Sequence, residues 1–232
     1  MSAAPGRPQA SSHRSPQGEG TPVSRPFAIA ILAFDEVEAL DLAGPYEVFT
    51  TASRMAARPE AADWTDRERA AGWRVDCVAR TRTPVRARAG LAVLPTRDFA
   101  VAGPVDLLLV PGGVVDAAAR CPETLAWVRQ ASQGATLTAS VCTGAFILAA
   151  SGVVHTERMT THWEDLDELR AQWPALRVQD GVRWVEDGRI VSSAGISAGI
   201  DMSLHLVARL TCPALAERTA RQMDYRWLKN PA

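Results

Sequence analysis

One stretch limits the chain more than any other: Thr136-Leu-Thr-Ala-Ser-Val-Cys142-Thr143-Gly144-Ala-Phe-Ile-Leu-Ala-Ala150. A strand-like run, Thr136 to Val141, meets one cysteine, and a helical run, Gly144 to Ala150, follows without a loop. A strand that becomes a helix in this way bends sharply at the junction residue. The bend pushes that side chain out at the carboxyl end of a sheet and turns the free N–H groups of the helix toward it. Those donors and the helix dipole favour a thiolate, so Cys142 is expected to have a depressed pKa and to act as a nucleophile. Thr143 and Gly144 keep the turn small enough for a ligand to approach. The alternative is an inert structural cysteine, since free cysteines are among the most buried residue types.

Composition excludes several classes of function. The 232 residues are 47% hydrophobic and 22% charged, enough for one α/β unit with a sizeable core. The 25 basic and 26 acidic residues give a formal net charge of -1, with no basic block to track phosphates, so nucleic acid is not an expected partner. Cys77, Cys121, Cys142 and Cys212 lie far apart without a CxxC pair, which fits neither a zinc site nor a disulfide framework and suggests a reducing cytosol. No apolar run approaches the length of a membrane span, and no signal-peptide core follows the amino terminus.

Along the chain, residues 1–25 are rich in Ser, Pro, Gly and Arg and are expected to form a disordered tail. They are poor in acids, as transit peptides are, but their prolines and glycines spoil an amphipathic helix. Residues 26–232 read as a single domain without internal repeats. Phe27 to Phe34 is a continuous apolar run, as a parallel strand covered on both faces should be. Pro45 suits the first turn of a helix that runs to about Ala57. Residues 58–72 look like a surface insertion. Trp73 to Ala79 reads as a strand, and Pro84 to Leu94 as a hairpin around Gly90. Asp106 to Val110 is a buried strand ending in Gly112-Gly113, and Glu123 to Gln133 is a helix. Glu164 to Gln172 is helical. Strands at Val182–Glu186 and Ile190–Ser193 flank the Asp187-Gly188 turn. Ser197 is placed as the cap of a helix through Leu210, and Pro213 to about Tyr225 is the last helix. This alternation predicts a doubly wound, mostly parallel sheet with ligands at its carboxyl ends.

A reactive thiol needs a proton carrier and donors for developing negative charge. The N–H groups of Gly112, Gly113 and Thr143 are candidate oxyanion or substrate-binding donors. Asp41, between a strand end and a helix start, is one candidate proton carrier, although an aspartate there also serves to order a turn. His162 and Glu47 are further candidates, and a histidine beside a tryptophan is also commonly a packed, hydrogen-bonded residue. Asp201 is explained by dipole complementation at a helix start. Trp127, Trp163 and Trp184 read as core or interface residues.

Five motifs, in order, carry a resemblance: Leu40-Asp41-Leu-Ala-Gly44-Pro45-Tyr-Glu47-Val-Phe49, Val110-Pro-Gly-Gly113, Ser140-Val-Cys142-Thr143-Gly144-Ala145, Thr160-Thr161-His162-Trp163, and Ser193-Ala-Gly195-Ile-Ser197-Ala-Gly199-Ile-Asp201. Over residues 27–225 the chain resembles the ThiJ/PfpI superfamily, and within it the isonitrile hydratase branch. The resemblance implies a flavodoxin-like sandwich of the class I glutamine amidotransferase type, a cytoplasmic homodimer, a small-molecule substrate, and no metal or organic cofactor. It also implies that Cys142 attacks the terminal carbon of R–N≡C, that Asp41 handles protons, and that water releases an N-substituted formamide. A largely desolvated carboxyl beside the thiol should have its pKa raised and titrate with the thiol as a pair. Thr143 stands where protease-like relatives carry a histidine, which disfavours a peptidase. The same motifs occur in the sensing domains of AraC-type regulators, whose helix-turn-helix module this chain stops short of. A ligand- or redox-sensing module, or another Cys-dependent hydrolase or glyoxalase-like enzyme, is therefore the alternative function.

Overall fold

The computed structural model describes Met1 and residues 25–59, 70 and 72–230. The expected tail, apart from Met1 and Arg25, and most of the expected insertion lie outside the described residues.

Near-continuous apolar runs form the centre of a seven-stranded sheet. Strand β1 (Ala28–Leu32) lies between β2 (Arg74–Ala79) and β6 (Leu107–Val110), parallel to both. Beyond β6 come β7 (Leu137–Val141) and β11 (Ile190–Ser193), also parallel, and every residue of β1, β6, β7 and β11 is buried. Strand β10 (Trp184–Asp187) adds antiparallel to β11 across the predicted Asp-Gly turn, and β5 (Arg97–Asp98) closes the other edge beside β2. The order is β10-β11-β7-β6-β1-β2-β5. Two short pairs stand apart: the predicted hairpin of β3 (Val85–Arg86) and β4 (Ala92–Val93), and β8 (Arg158–Met159) with β9 (Arg177–Val178).

Helices flank the sheet in two groups. Helix α1 (Ala39–Ala56) packs with α5 (Ala198–Leu210) and α6 (Pro213–Gln222). Helix α2 (Pro122–Gly134) packs with α3 (Gly144–Ala150) and β6. The shorter α4 (Leu166–Gln172) follows a 3₁₀ turn at Trp163–Asp165. This is the predicted flavodoxin-like α/β class. The connection out of β1 moves to one side of the sheet, whereas β6 and β7 build on the other. The crevice between β1 and β6 is therefore the topological switch point, where ligands bind in such folds.

Three local expectations are corrected. Helix α1 begins at Ala39, so Asp41 lies in its first turn and Pro45 inside it. Proline there leaves the Asp41 carbonyl without its i+4 donor, a cost that the buried face of α1 (Val48, Phe49, Ala52, Met55) offsets. Ser197 occupies the cap position of α5 but its side chain makes no capping bond. Helix α6 ends at Gln222, short of the expected Tyr225.

Asp201 does more than complement a dipole. It is fully buried, its Oδ2 accepts from Arg183 Nε at 2.6 Å and pairs with the second guanidinium nitrogen, and its Oδ1 accepts from the Leu228 N–H at 2.9 Å. Trp127 and Trp184 are buried as expected, but Trp163 is 70% exposed and does not belong to the core.

Candidate active site

The carboxyl ends of β1, β6, β7 and β11 are adjacent, and each sends one segment into the same crevice. Cys142 leaves β7 with φ of 54°, a left-handed conformation costly for a residue with a Cβ. It is held there from both sides: its N–H donates to the carbonyls of Ser193 (3.1 Å) and Ala194 (3.3 Å), and its carbonyl accepts from Thr161 Oγ1 (2.9 Å). The helix follows at once because Gly144 lies against the Val110 and Pro111 carbonyls, where a Cβ would collide. The strand-to-helix elbow is thus packed as well as turned.

Asp41 reaches the crevice from α1. The loop ahead of it is anchored to the glycine pair: the Glu38 N–H donates to the Gly112 carbonyl (2.8 Å) and the Val114 N–H to the Glu36 carbonyl (3.0 Å). Gly113 takes φ of 138° there, and a Cβ on it would collide with the Glu36 carbonyl, so no side chain fits. The Asp41 carboxyl is fully buried. Its Oδ2 accepts from the Gly112 N–H at 3.1 Å, while Oδ1 has no hydrogen-bond partner.

Two of the expected oxyanion donors are therefore spent. The Gly112 N–H serves Asp41, and the Gly113 N–H donates to Thr143 Oγ1 at 2.9 Å. The single Thr143 hydroxyl proton goes in turn to the Gly113 carbonyl, also at 2.9 Å. What remains for the sulfur are the main-chain N–H groups of Thr143 and Ile196. Thr143 was expected on the site; Ile196 was not, although its motif was visible. No rule of sequence announces that a β-branched residue will adopt φ of 39°, as Ile196 does. Thr161, which fixes the Cys142 carbonyl, was likewise missed as an individual residue.

The electrostatics overturn the expectation of an acidic thiol. Burial, followed by the charge of Asp41, pushes Cys142 up to about 12, against the lowering effect of the Thr143 and Ile196 donors. Burial likewise pushes Asp41 up to about 7. The Gly112 N–H pulls the other way, Glu38 adds a smaller upward push, and the nearby Cys142 thiol favours the charged carboxylate. The carboxyl, and not the thiol, is therefore the group that loses its proton near neutral pH.

Cys142, Thr143, Gly113, Phe146, His162 and Ile196 line a cavity of about 540 Å³, within the usual range for small-molecule sites. His162 thus shares the cavity with the thiol. Its ring lies against Gly195, and its Nδ1 accepts from the Glu164 N–H at 3.3 Å, which leaves Nε2 to carry the proton. Glu47 does not join the site. It is half-exposed on α1, where Thr51 Oγ1 (2.8 Å) and Arg54 (3.1 Å) hold its carboxylate. Among the described residues no group of three or more His, Cys, Asp or Glu side chains is arranged to hold a metal ion, and no helix is long and apolar enough to cross a membrane.

The chain is 33% identical over 198 residues to an isonitrile hydratase of Pseudomonas putida, covering 85% of this chain and 78% of the relative. It is 31% identical over 139 residues to the HTH-type transcriptional regulator CdhR of Pseudomonas aeruginosa, covering 60% of this chain but 41% of that regulator. A crystal structure of a ThiJ/PfpI family protein from Pseudomonas syringae superposes with a TM-score of 0.74 at 30% identity, covering 97% of this chain and 85% of the other. The DJ-1/PfpI family model matches residues 28–209, and the chain belongs to that family.

Proposed function

We propose that the protein hydrates an isonitrile to an N-substituted formamide, with Cys142 as nucleophile and Asp41 as proton carrier. The observation that carries this reading is the buried Asp41 carboxyl, one oxygen unpartnered, beside a strained thiol in a cavity. An isonitrile carbon holds a lone pair and accepts both a nucleophile and a proton. Charged Asp41 takes the Sγ proton as sulfur attacks, so free thiolate need never accumulate despite a thiol pKa of about 12. The same proton passes from Asp41 to the carbon, which gives the thioimidate R–N=CH–S–Cys142. Water then adds to that carbon, losing a proton to Asp41. Asp41 passes that proton to the nitrogen, and as the C–S bond breaks the added hydroxyl gives up its own proton to sulfur, which releases R–NH–CHO and restores the thiol. The Thr143 and Ile196 N–H groups stabilise the charge that sulfur carries on attack and departure.

The test is formamide production from an alkyl or aryl isonitrile by the purified protein, with Cys142→Ala alongside. Cysteine-dependent product is expected, and full turnover by Cys142→Ala sinks the reading. Four free cysteines support a reducing cytosol as its place, and a homodimer built on residues 26–232 as one domain completes the proposal.

A second reading, a ligand sensor without turnover, is favoured by the protonated thiol and by the similarity to CdhR. Saturable binding of isonitriles or other small molecules with no formamide formed supports it.

A further inference from the structure

The hydratase reading says what reacts at the cavity floor; the walls bear on which isonitriles enter. Part of the lining is apolar: Val115, Ala119, Phe146, Ala150 and Trp173. The 3₁₀ turn and α4 contribute Glu164, Glu168 and Gln172, at i, i+4 and i+8. Those spacings place the three side chains in one row on a helical face. Asp165 adds a third carboxylate at the base of the row.

Among the described residues no Lys or Arg is paired with this row of carboxylates. The two arginines that line the cavity are engaged elsewhere on its rim, Arg88 with Glu38 at 3.4 Å and Arg120 with Asp116 at 3.2 Å. Arg170, on α4 itself, lies outside the lining and pairs with Asp167 at 2.7 Å. His162 Nδ1 lies 3.3 Å from the Glu164 N–H and 3.7 Å and 3.3 Å from the Glu164 and Asp165 carboxylates, one imidazole against the whole row. Gln172 donates one bond, at 2.7 Å, to Glu168. The lining thus holds five carboxylates against two guanidinium groups.

We propose that the cavity selects isonitriles with an apolar body and a protonated amine at the end remote from the N≡C group, and disfavours those ending in a carboxylate. Cys142, which lines the cavity with the buried Asp41 carboxyl beside it but outside the lining, fixes the reacting end independently. Phe146 and Trp173 cover the body, and Glu164 and Glu168 receive the ammonium. The cationic substrate then supplies the charge that balances these carboxylates.

Two assays test this. In the first, kcat/KM is measured at low salt for 4-(aminomethyl)benzyl and 4-carboxybenzyl isonitrile. The ammonium form is expected to be favoured about tenfold or more, and the double variant Glu164→Gln/Glu168→Gln to reduce that ratio about threefold to tenfold. A merely structural defect lowers both substrates together and leaves the ratio unchanged, which contradicts the proposal. In the second, Cys142→Ala is titrated with benzylammonium and with benzoate by calorimetry, a reading that needs no chemistry. Benzoate binding as tightly as benzylammonium overturns the proposal. Ammonium-selective binding with no turnover of any isonitrile leaves the charge preference standing and removes the hydratase reading.

Discussion

Two aspartates lie in the first turn of a long helix, and both are completely buried, yet the protein treats them oppositely. Asp201 is saturated: a guanidinium occupies one oxygen and a main-chain N–H the other, and its backbone carbonyl accepts from Trp227 Nε1 at 3.1 Å. It ties β10 and the segment after α6 to α5. Asp41 receives one N–H and nothing else by hydrogen-bond geometry. A buried carboxylate left half-satisfied costs stability, and that cost is retained where the group is needed for something besides holding the fold. Asp201 is the fold's carboxylate, and Asp41 is the one free to exchange a proton.

The comparison can be broken most sharply at Asp41. Asp41→Asn keeps the shape and the Gly112 contact but removes the base. Turnover is expected to fall about 10²–10⁴-fold while the fold persists. A rate within a few-fold of the parent contradicts the assignment.

The next effect is on stability against pH. The Asp41 pKa is raised from 3.8 to about 7, so the folded state holds a proton that the unfolded state has released. Its neutral form fits the site, and stability should decline as pH rises from about 4 to about 7, by at most about 4 kcal/mol. Chemical denaturation across that window checks the slope, which should be absent in Asp41→Asn.

Asp201→Asn has the opposite character. It leaves Arg183 without its partner, and since that arginine is partly exposed the loss should be about 2–3 kcal/mol. Activity per folded molecule should be retained, as read by melting and turnover on the same sample. Glu47→Gln is the smallest change. Its exposed pair with Arg54 is worth about 0–1 kcal/mol, and kcat/KM should stay at the parent value.

Much of this contrast could be read from the chain, and the unread part has physical causes. Strand β7, Cys142 and α3 were legible because an apolar strand meeting a small-residue helix leaves one geometry at the junction. The mostly parallel arrangement of the long strands was implied by apolar runs alternating with helices. Two-residue strands such as β5, β8 and β9 were not, because pairing at a sheet edge leaves no period in so few residues. Pro45 suggested a helix start, but the packing of α1 tolerates it in the interior. Gly112 and Gly113 were correctly placed beside the site, but which acceptor takes each N–H depends on where Asp41 and Thr143 come to lie. The thiol's pKa was misjudged for the same reason. Strand, helix and dipole are local, whereas burial and a carboxylate 101 positions earlier in the chain are not. Asp41 and Asp201 look alike in sequence, and only their partners separate them.

The most direct test of the central claim, that Asp41 is the proton carrier for Cys142, is the pH profile of kcat/KM for a neutral isonitrile. The account predicts a rate that rises through about pH 7 as Asp41 loses its proton, with that inflection missing in Asp41→Asn. A profile flat from pH 5 to pH 8, or the same inflection kept by Asp41→Asn, contradicts it.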